Sequence, residues 1–155
     1  AKAREAARNS LVKASFPQKA HLYDLHAGEY LDQTDTASKL MGPGYCQIYS
    51  LLPYRVEAMT VTPRTRTKQA GKPITYRVAV QTDGAKPGLH VFRVEVTAPD
   101  GARACYGTQI TAPAGSGDGE FALAINDAPG TWQIKATDIA TGITGAAQFT
   151  VTEPD

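Results

Sequence analysis

The sequence predicts an all-β protein of two β-sandwich modules, the first small and incomplete, the second carrying seven strands. Three observations lead there. Apolar and polar residues alternate with period two over most of the chain, as in Ile74-Thr75-Tyr76-Arg77-Val78-Ala79-Val80, the pattern of a strand with one buried face. Turn-forming clusters interrupt the alternation at roughly the 8–12-residue spacing of a sandwich or barrel. Helical composition is nearly confined to Ala1–Arg8, a stretch too short to hold a helix without tertiary support.

The second module is assigned to residues 56–155. Met59 and Val61 mark its first strand, which Gln69-Ala70-Gly71-Lys72 turns. Ile74, Tyr76, Val78 and Val80 form the second, and Phe92, Val94 and Val96 the buried face of the third. Pro99-Asp100-Gly101 is a strong turn signal, leading to a fourth strand with Ala104, Tyr106 and Ile110 on one face. Ala112–Gly119, rich in glycine, reads as a loop. Phe121, Leu123 and Ile125 make strand five, Trp132, Ile134 and Ala136 strand six, and Ala147, Phe149 and Val151 strand seven. The run Arg64, Arg66 and Lys68, alternating with Thr, fits a solvated strand edge.

Seven alternating strands in this length suit an immunoglobulin-like or fibronectin-like sandwich. The single Trp lies on strand six and no cysteine pair spans two sheets, so the module is not of antibody type. Its ending, Gly-Thr-Trp-Gln-Ile-Lys-Ala-Thr-Asp followed by Thr-Gly and Phe-Thr-Val, resembles bacterial immunoglobulin-like and macroglobulin-like modules over residues 57–152. That resemblance implies a spacer or docking surface in a large extracellular or periplasmic protein.

The first module, residues 1–55, offers four or five strands: Leu11–Phe16, Ala20–Leu25, Tyr30–Leu31, Ala37–Leu40 and Tyr45–Leu52. So short a piece rarely buries enough surface to fold alone. Either it leans on the second module or it is the tail of a sandwich whose earlier strands lie upstream, the reading favoured by a start at Ala1 with no initiator Met. Asp24 stands where an Asx-turn uses its carboxylate to hold backbone donors, with Gly28 supplying positive φ. Tyr23-Asp24, Gly28, Tyr30-Leu31, Thr34-Asp35, Gly42-Pro43-Gly44 and Ile48-Tyr49-Ser50-Leu51-Leu52-Pro53-Tyr54 together resemble small C-terminal β-domains of multidomain bacterial glycoside hydrolases. The resemblance implies a domain that packs beside a catalytic domain and supplies no catalytic carboxylate.

No catalytic constellation is legible. His21 and His26 straddle a turn without a third ligand at metal-binding spacing. His90 shares parity with Phe92 and Val94, which predicts a partly buried, hydrogen-bonded histidine. Asp24, Asp32, Asp35 and Glu57 lack the sugar-sized cleft that paired glycosidase carboxylates need. No Gly-x-Ser-x-Gly elbow surrounds any serine, and Gly115-Ser116-Gly117-Asp118-Gly119 lacks the lysine of a phosphate loop and precedes a strand. Sugar binding needs exposed rings, for which Tyr30, Tyr45, Tyr54 and Tyr106 are the candidates, while Trp132 has core parity. No cofactor is expected.

Sixteen Lys and Arg against fifteen Asp and Glu leave a formal charge of +1, so no basic field draws nucleic acid or an anionic membrane. No apolar run approaches the ~20 residues of a bilayer-spanning helix. Cys46 and Cys105 fall one in each module, as two free thiols or, less in keeping with their number, one inter-module disulfide. The expectation is a non-catalytic accessory region of a larger bacterial carbohydrate-active protein, secreted, periplasmic or on the cell surface. Its partners would be other domains of the parent chain and possibly carbohydrate. The alternatives are an adhesion or protein–protein interaction module and a carbohydrate-binding module.

Overall fold

A computed structural model describes residues 9–64, 67–69 and 71–152. The helical expectation for Ala1–Arg8, and the Arg66 and Ala70 parts of the sequence reading, lie outside them. Every described regular element is a strand: β1 (Ser10–Asp24), β2 (Glu29–Met41), β3 (Tyr49–Leu52), β4 (Val56–Pro63), β5 (Thr67–Gln69), β6 (Pro73–Thr82), β7 (His90–Thr97), β8 (Thr108–Ala112), β9 (Ser116–Ala122), β10 (Gly130–Asp138) and β11 (Thr144–Thr152).

Strands β4 to β11 form an immunoglobulin-like sandwich, with one sheet ordered β5-β11-β10-β7-β8 and the other β4-β6-β9. The alternation seen in the sequence is the burial pattern: Ile74, Tyr76, Val78 and Val80 of β6 face Phe92, Val94 and Val96 of β7 and Trp132, Ile134 and Ala136 of β10 in one core. Trp132 donates its ring N–H to the Ala128 carbonyl at 2.9 Å, tying the corner before β10. At roughly 25 cal/mol per Å² of apolar area removed from water, this core supplies most of the sandwich's stability.

The fourth strand opens only at Thr108, with Ala104 and Tyr106 before it, and three further features depart from the sequence reading. An eighth strand, β5, runs parallel to β11 and pairs Thr67 with Thr150 and Gln69 with Thr152; three residues are too few to show a hydrophobic period. The glycine-rich loop reaches only to Gly115, because β9 begins at Ser116 and pairs with Ala79. There glycines permit close packing: a Cβ on Gly119 would lie 2.3 Å from the Tyr76 ring. Ile125 does not continue the buried face of Phe121 and Leu123 but is 77% exposed. Strand β9 stops at Ala122, and a turn closed by the Asp127 N–H on the Ala124 carbonyl, at 3.1 Å, breaks the parity.

Residues 10–52 form one three-stranded antiparallel sheet, ordered β2-β1-β3, where four or five short strands were expected. Leu11–Phe16 and Ala20–Leu25 merge into β1, and Tyr30–Leu31 and Ala37–Leu40 into β2. One bulge spans both former breaks: between the pairs Ser15–Thr36 and Ala20–Thr34, the segment Phe16–Lys19 faces Asp35 alone. Such a bulge bends a strand sharply. Lys39 lies opposite Val12, a dozen residues from Asp24 and roughly 40 Å away along a straight strand. Yet Lys39 Nζ sits 2.6 Å from the Asp24 carboxylate, so the hairpin folds over itself.

The bend gives both faces of the inner half of β1 a cover. His21 and Tyr23 face the sandwich with Leu52, which packs on its core. Ala20, Leu22 and Asp24 point the other way and are buried under the returning hairpin, where Phe16 meets Tyr49 edge-on at 6.0 Å. Its free end stays bare: the cross-strand pair Leu11 and Leu40 is 62% exposed at each residue.

Candidate functional site

Three constellations of polar side chains lie on or near the junction between the N-terminal sheet and the sandwich. The innermost starts at Tyr54, in the link between β3 and β4. Its hydroxyl lies 2.9 Å from His90 Nε2 and accepts the Gly88 N–H at 2.7 Å. His90 Nδ1 lies 3.0 Å from Asp138 Oδ1, and Asp138 Oδ2 accepts the Thr141 hydroxyl at 2.7 Å. With the proton on Nδ1, every group in the row has a partner. Because β7 opens with His90 and β10 ends at Asp138, strand pairing sets the two ends facing one another.

This order of hydroxyl, imidazole and carboxylate has the connectivity of a nucleophile, base and orienting acid. Its placement rules that use out. His90 is 1% exposed and Asp138 and Thr141 are fully covered, and the Tyr54 hydroxyl already serves a backbone N–H. The row ties the inter-sheet link to the start of β7 and to the turn between β10 and β11. The same β10–β11 turn carries Gly142, where a Cβ would come within 2.8 Å of the Gly28 Cα, so two turns meet backbone to backbone across the junction.

The second constellation is Asp24, which forms the expected Asx-turn. Its Oδ1 accepts the His26 and Ala27 N–H groups at 3.0 Å each and the Gln47 amide at 2.6 Å, and its Oδ2 takes Lys39. Gly28 closes the turn at φ 68°. Burial alone would raise this carboxyl; the bonds from Lys39, the Ala27 N–H and Gln47 overcome it and hold the pKa down to about 2. Asp24 is therefore a structural hub that binds β1, β2 and the loop before β3 together.

The third lies at the rim. His21 Nδ1 meets the Tyr30 hydroxyl at 2.9 Å and its Nε2 approaches Asp83 of the β6–β7 turn at 3.8 Å. The Arg55 guanidinium stacks over the Tyr30 ring, 4.7 Å from its centre. Beneath it the Tyr23 hydroxyl accepts the Val56 N–H at 2.8 Å. Burial raises the Tyr23 and Tyr30 hydroxyl pKa values, which keeps both neutral.

The four aromatic residues proposed to contact a ligand do not form a row. Tyr30 is half-covered by Arg55 and Tyr54 is 6% exposed inside the junction, so Tyr54 offers no stacking face. Tyr106 is half-buried against Phe121 and Trp132, its hydroxyl donated to Asp127, with burial and that bond raising its pKa. Tyr45 is the open ring of the set, 47% exposed beside His26. His90 meets its expectation of a buried, bonded histidine, whereas the role of Tyr54 was hidden because its partners lie 34 and 36 positions further along the chain. Cys46 and Cys105 are both exposed and unpaired. Among the described residues no three His, Cys, Asp or Glu side chains converge to hold a metal ion, and no helix is long and apolar enough to cross a membrane.

No protein-family model matches the chain, and no curated protein matches it in sequence. Among solved structures it is similar to the CARDB domain of the PF1109 protein from Pyrococcus furiosus in complex with di-metal ions, at 13% identity and a TM-score of 0.48, covering 65% of this chain and 96% of that one. It is also similar to the alkylpurine DNA glycosylase AlkC of Pseudomonas fluorescens, bound to DNA containing an abasic site analog, at 14% identity and a TM-score of 0.39 over 63% of this chain and 30% of that one. At these identities and TM-scores neither likeness says anything about the chemistry of this chain, which stands as an all-β protein with an immunoglobulin-like sandwich.

Proposed function

We propose that this chain is a non-catalytic accessory and interaction module of a larger bacterial carbohydrate-active protein that works outside the cytoplasm. One observation carries the reading: the chain's best-formed titratable row, Tyr54–His90–Asp138–Thr141, is sealed from solvent and spent on fixing the N-terminal sheet against the sandwich. A part built to hold two bodies at a set angle suits a spacer that orients a catalytic neighbour. The likeness of Tyr23–Tyr54 to domains that accompany glycoside hydrolases supports the choice of parent. The bare end of the hairpin, Leu11 with Leu40, supports contact with a neighbouring domain of the same parent, since it adjoins the point where the polypeptide enters β1.

Backbone 15N relaxation on the whole chain tests the reading. The N-terminal sheet and the sandwich are expected to tumble with one correlation time. The chain alone is expected to release no reducing sugar from polysaccharides or aryl glycosides. Two distinct correlation times, or hydrolysis that a blank purification does not show, would overturn it.

A further inference from the structure

Two hollows open on either side of one arginine. The first, about 220 Å³, is lined by Arg93, Val94, Arg103, Gly107, Thr108 and Gln109. The second, about 260 Å³, lies at the junction and shares Arg93 with Leu25, Thr137, Asp138, Ile139 and Gly142. Arg93 sits on the outer face of the larger sheet, directly across from Gln109 on one side and Thr137 on the other.

Arg93 is set apart by having no partner among the described residues. Every other described arginine is engaged: Arg55 by the Tyr30 ring, Arg64 and Arg77 by Asp118, Arg103 by Glu95 at 3.1 Å. Among the described residues on this face Glu95 is the single carboxylate set against Arg93, Arg103 and Lys135, and Lys135 lies directly across the strand from it. The surplus is cationic beside a hollow. Gly107 keeps that hollow open, because a Cβ there would stand 3.1 Å from the Val94 carbonyl and 4.0 Å from the Arg103 guanidinium.

We propose that the hollow between Arg93 and Arg103 binds the carboxylate of a uronic-acid-bearing saccharide. Its volume is below the ~300–1,000 Å³ of a whole-ligand pocket, so it takes one charged group of a longer chain. The planar guanidinium of Arg93 matches a carboxylate with two parallel N–H donors. Gln109 and Thr137 on the outer face, with Thr108 in the lining of the hollow, present amide and hydroxyl groups that suit sugar hydroxyls. An acidic peptide would offer its carboxylates without the ring hydroxyls that Gln109 and Thr137 suit. The assignment rests on the carbohydrate-associated reading above and specifies the saccharide class for it.

An 15N-HSQC titration of the whole chain with a galacturonate trimer tests it. Saturable shifts are expected at the amides of Gly107, Thr108 and Gln109, weakening as salt rises. Arg93→Ala should raise the Kd roughly tenfold or more, the size of one lost charge-assisted pair, with Arg93→Lys falling between. Arg93 is exposed, so an unchanged thermal melt confirms that the variant is folded. The proposal is overturned if no saturable shift appears, if the neutral galactose trimer binds as well, if a tetra-aspartate peptide binds as well or better, or if R93A leaves the Kd unchanged. None of these outcomes alters the tumbling measured on the same sample, so failure of this site and failure of the spacer reading are told apart.

Discussion

Replacing Asp24 by asparagine removes one charge from a side chain that accepts four hydrogen bonds while leaving its shape intact. In the folded chain its pKa falls from 3.8 to about 2, nearly two units at ~1.4 kcal/mol each, or about 2–3 kcal/mol of stability. The folded value lies below the unfolded one. The contribution is therefore fully present above about pH 4 and is lost as the pH falls through about 2. Urea unfolding at pH 7 should show Asp24→Asn destabilised by about 2–3 kcal/mol. The gap to the parent should close between about pH 4 and 2, as the parent carboxyl protonates. Lys39, released by the change, is more than a third exposed and regains water, so it adds little cost of its own. Two readouts locate the effect: Trp132 fluorescence follows the sandwich, and the Gly28 amide in NMR follows the turn that Asp24 holds. Equal stabilities at pH 7, or a gap that persists undiminished at pH 2, would refute the argument that charge-assisted bonds hold this hub.

Three further outcomes follow from the packing. Tyr76 is fully buried with its hydroxyl unpaired among the described residues, so Tyr76→Phe should be neutral or up to about 1 kcal/mol more stable in thermal unfolding. Gly119→Ala drives a methyl into the Tyr76 ring and should cost about 1–3 kcal/mol. A double-mutant cycle with Tyr76→Leu should show relief, because the smaller side chain vacates the clash. Tyr54→Phe deprives the Gly88 N–H of its acceptor and His90 of its partner. It should destabilise by about 1–3 kcal/mol and speed amide exchange at Gly88.

What could be read from the sequence was whatever a single strand decides for itself. Strand β6 declared its buried face because one side meets the core and the other water, and Asp24 declared its turn because the Asx geometry lies within four residues. Legibility failed where the deciding partner is distant. Pro17–Lys19 looked like a break between strands, and only pairing with β2 turns it into part of a bulge inside one strand. Tyr54 looked like a surface ring until His90 and Asp138 closed over it. Ile125 kept its parity past the end of β9, where a turn had already cancelled it. Of the ligand-contact candidates, exposure left Tyr45 open and took Tyr54 away. The arginine-flanked hollow gave no signal at all, because Arg93, Arg103 and Gly107 meet there only through the pairing of β7 with β8.

The short parallel strand β5 has a mechanical consequence. The polypeptide enters the sandwich at Val56, beside the locked junction. Gly145, near the start of β11, packs on the Met59 backbone, so β4 and β11 set out from the same end. β11 then runs to the opposite end and leaves at Thr152, gripped by Gly130–Thr131 on one side and by Thr67–Gln69 on the other. Tension between the N-terminal sheet and the far end would pull β11 lengthwise past both neighbours. Its hydrogen bonds would be loaded together in shear instead of opening one after another. A module strung in series between a surface and a working domain would, in that geometry, transmit force as a stiff link.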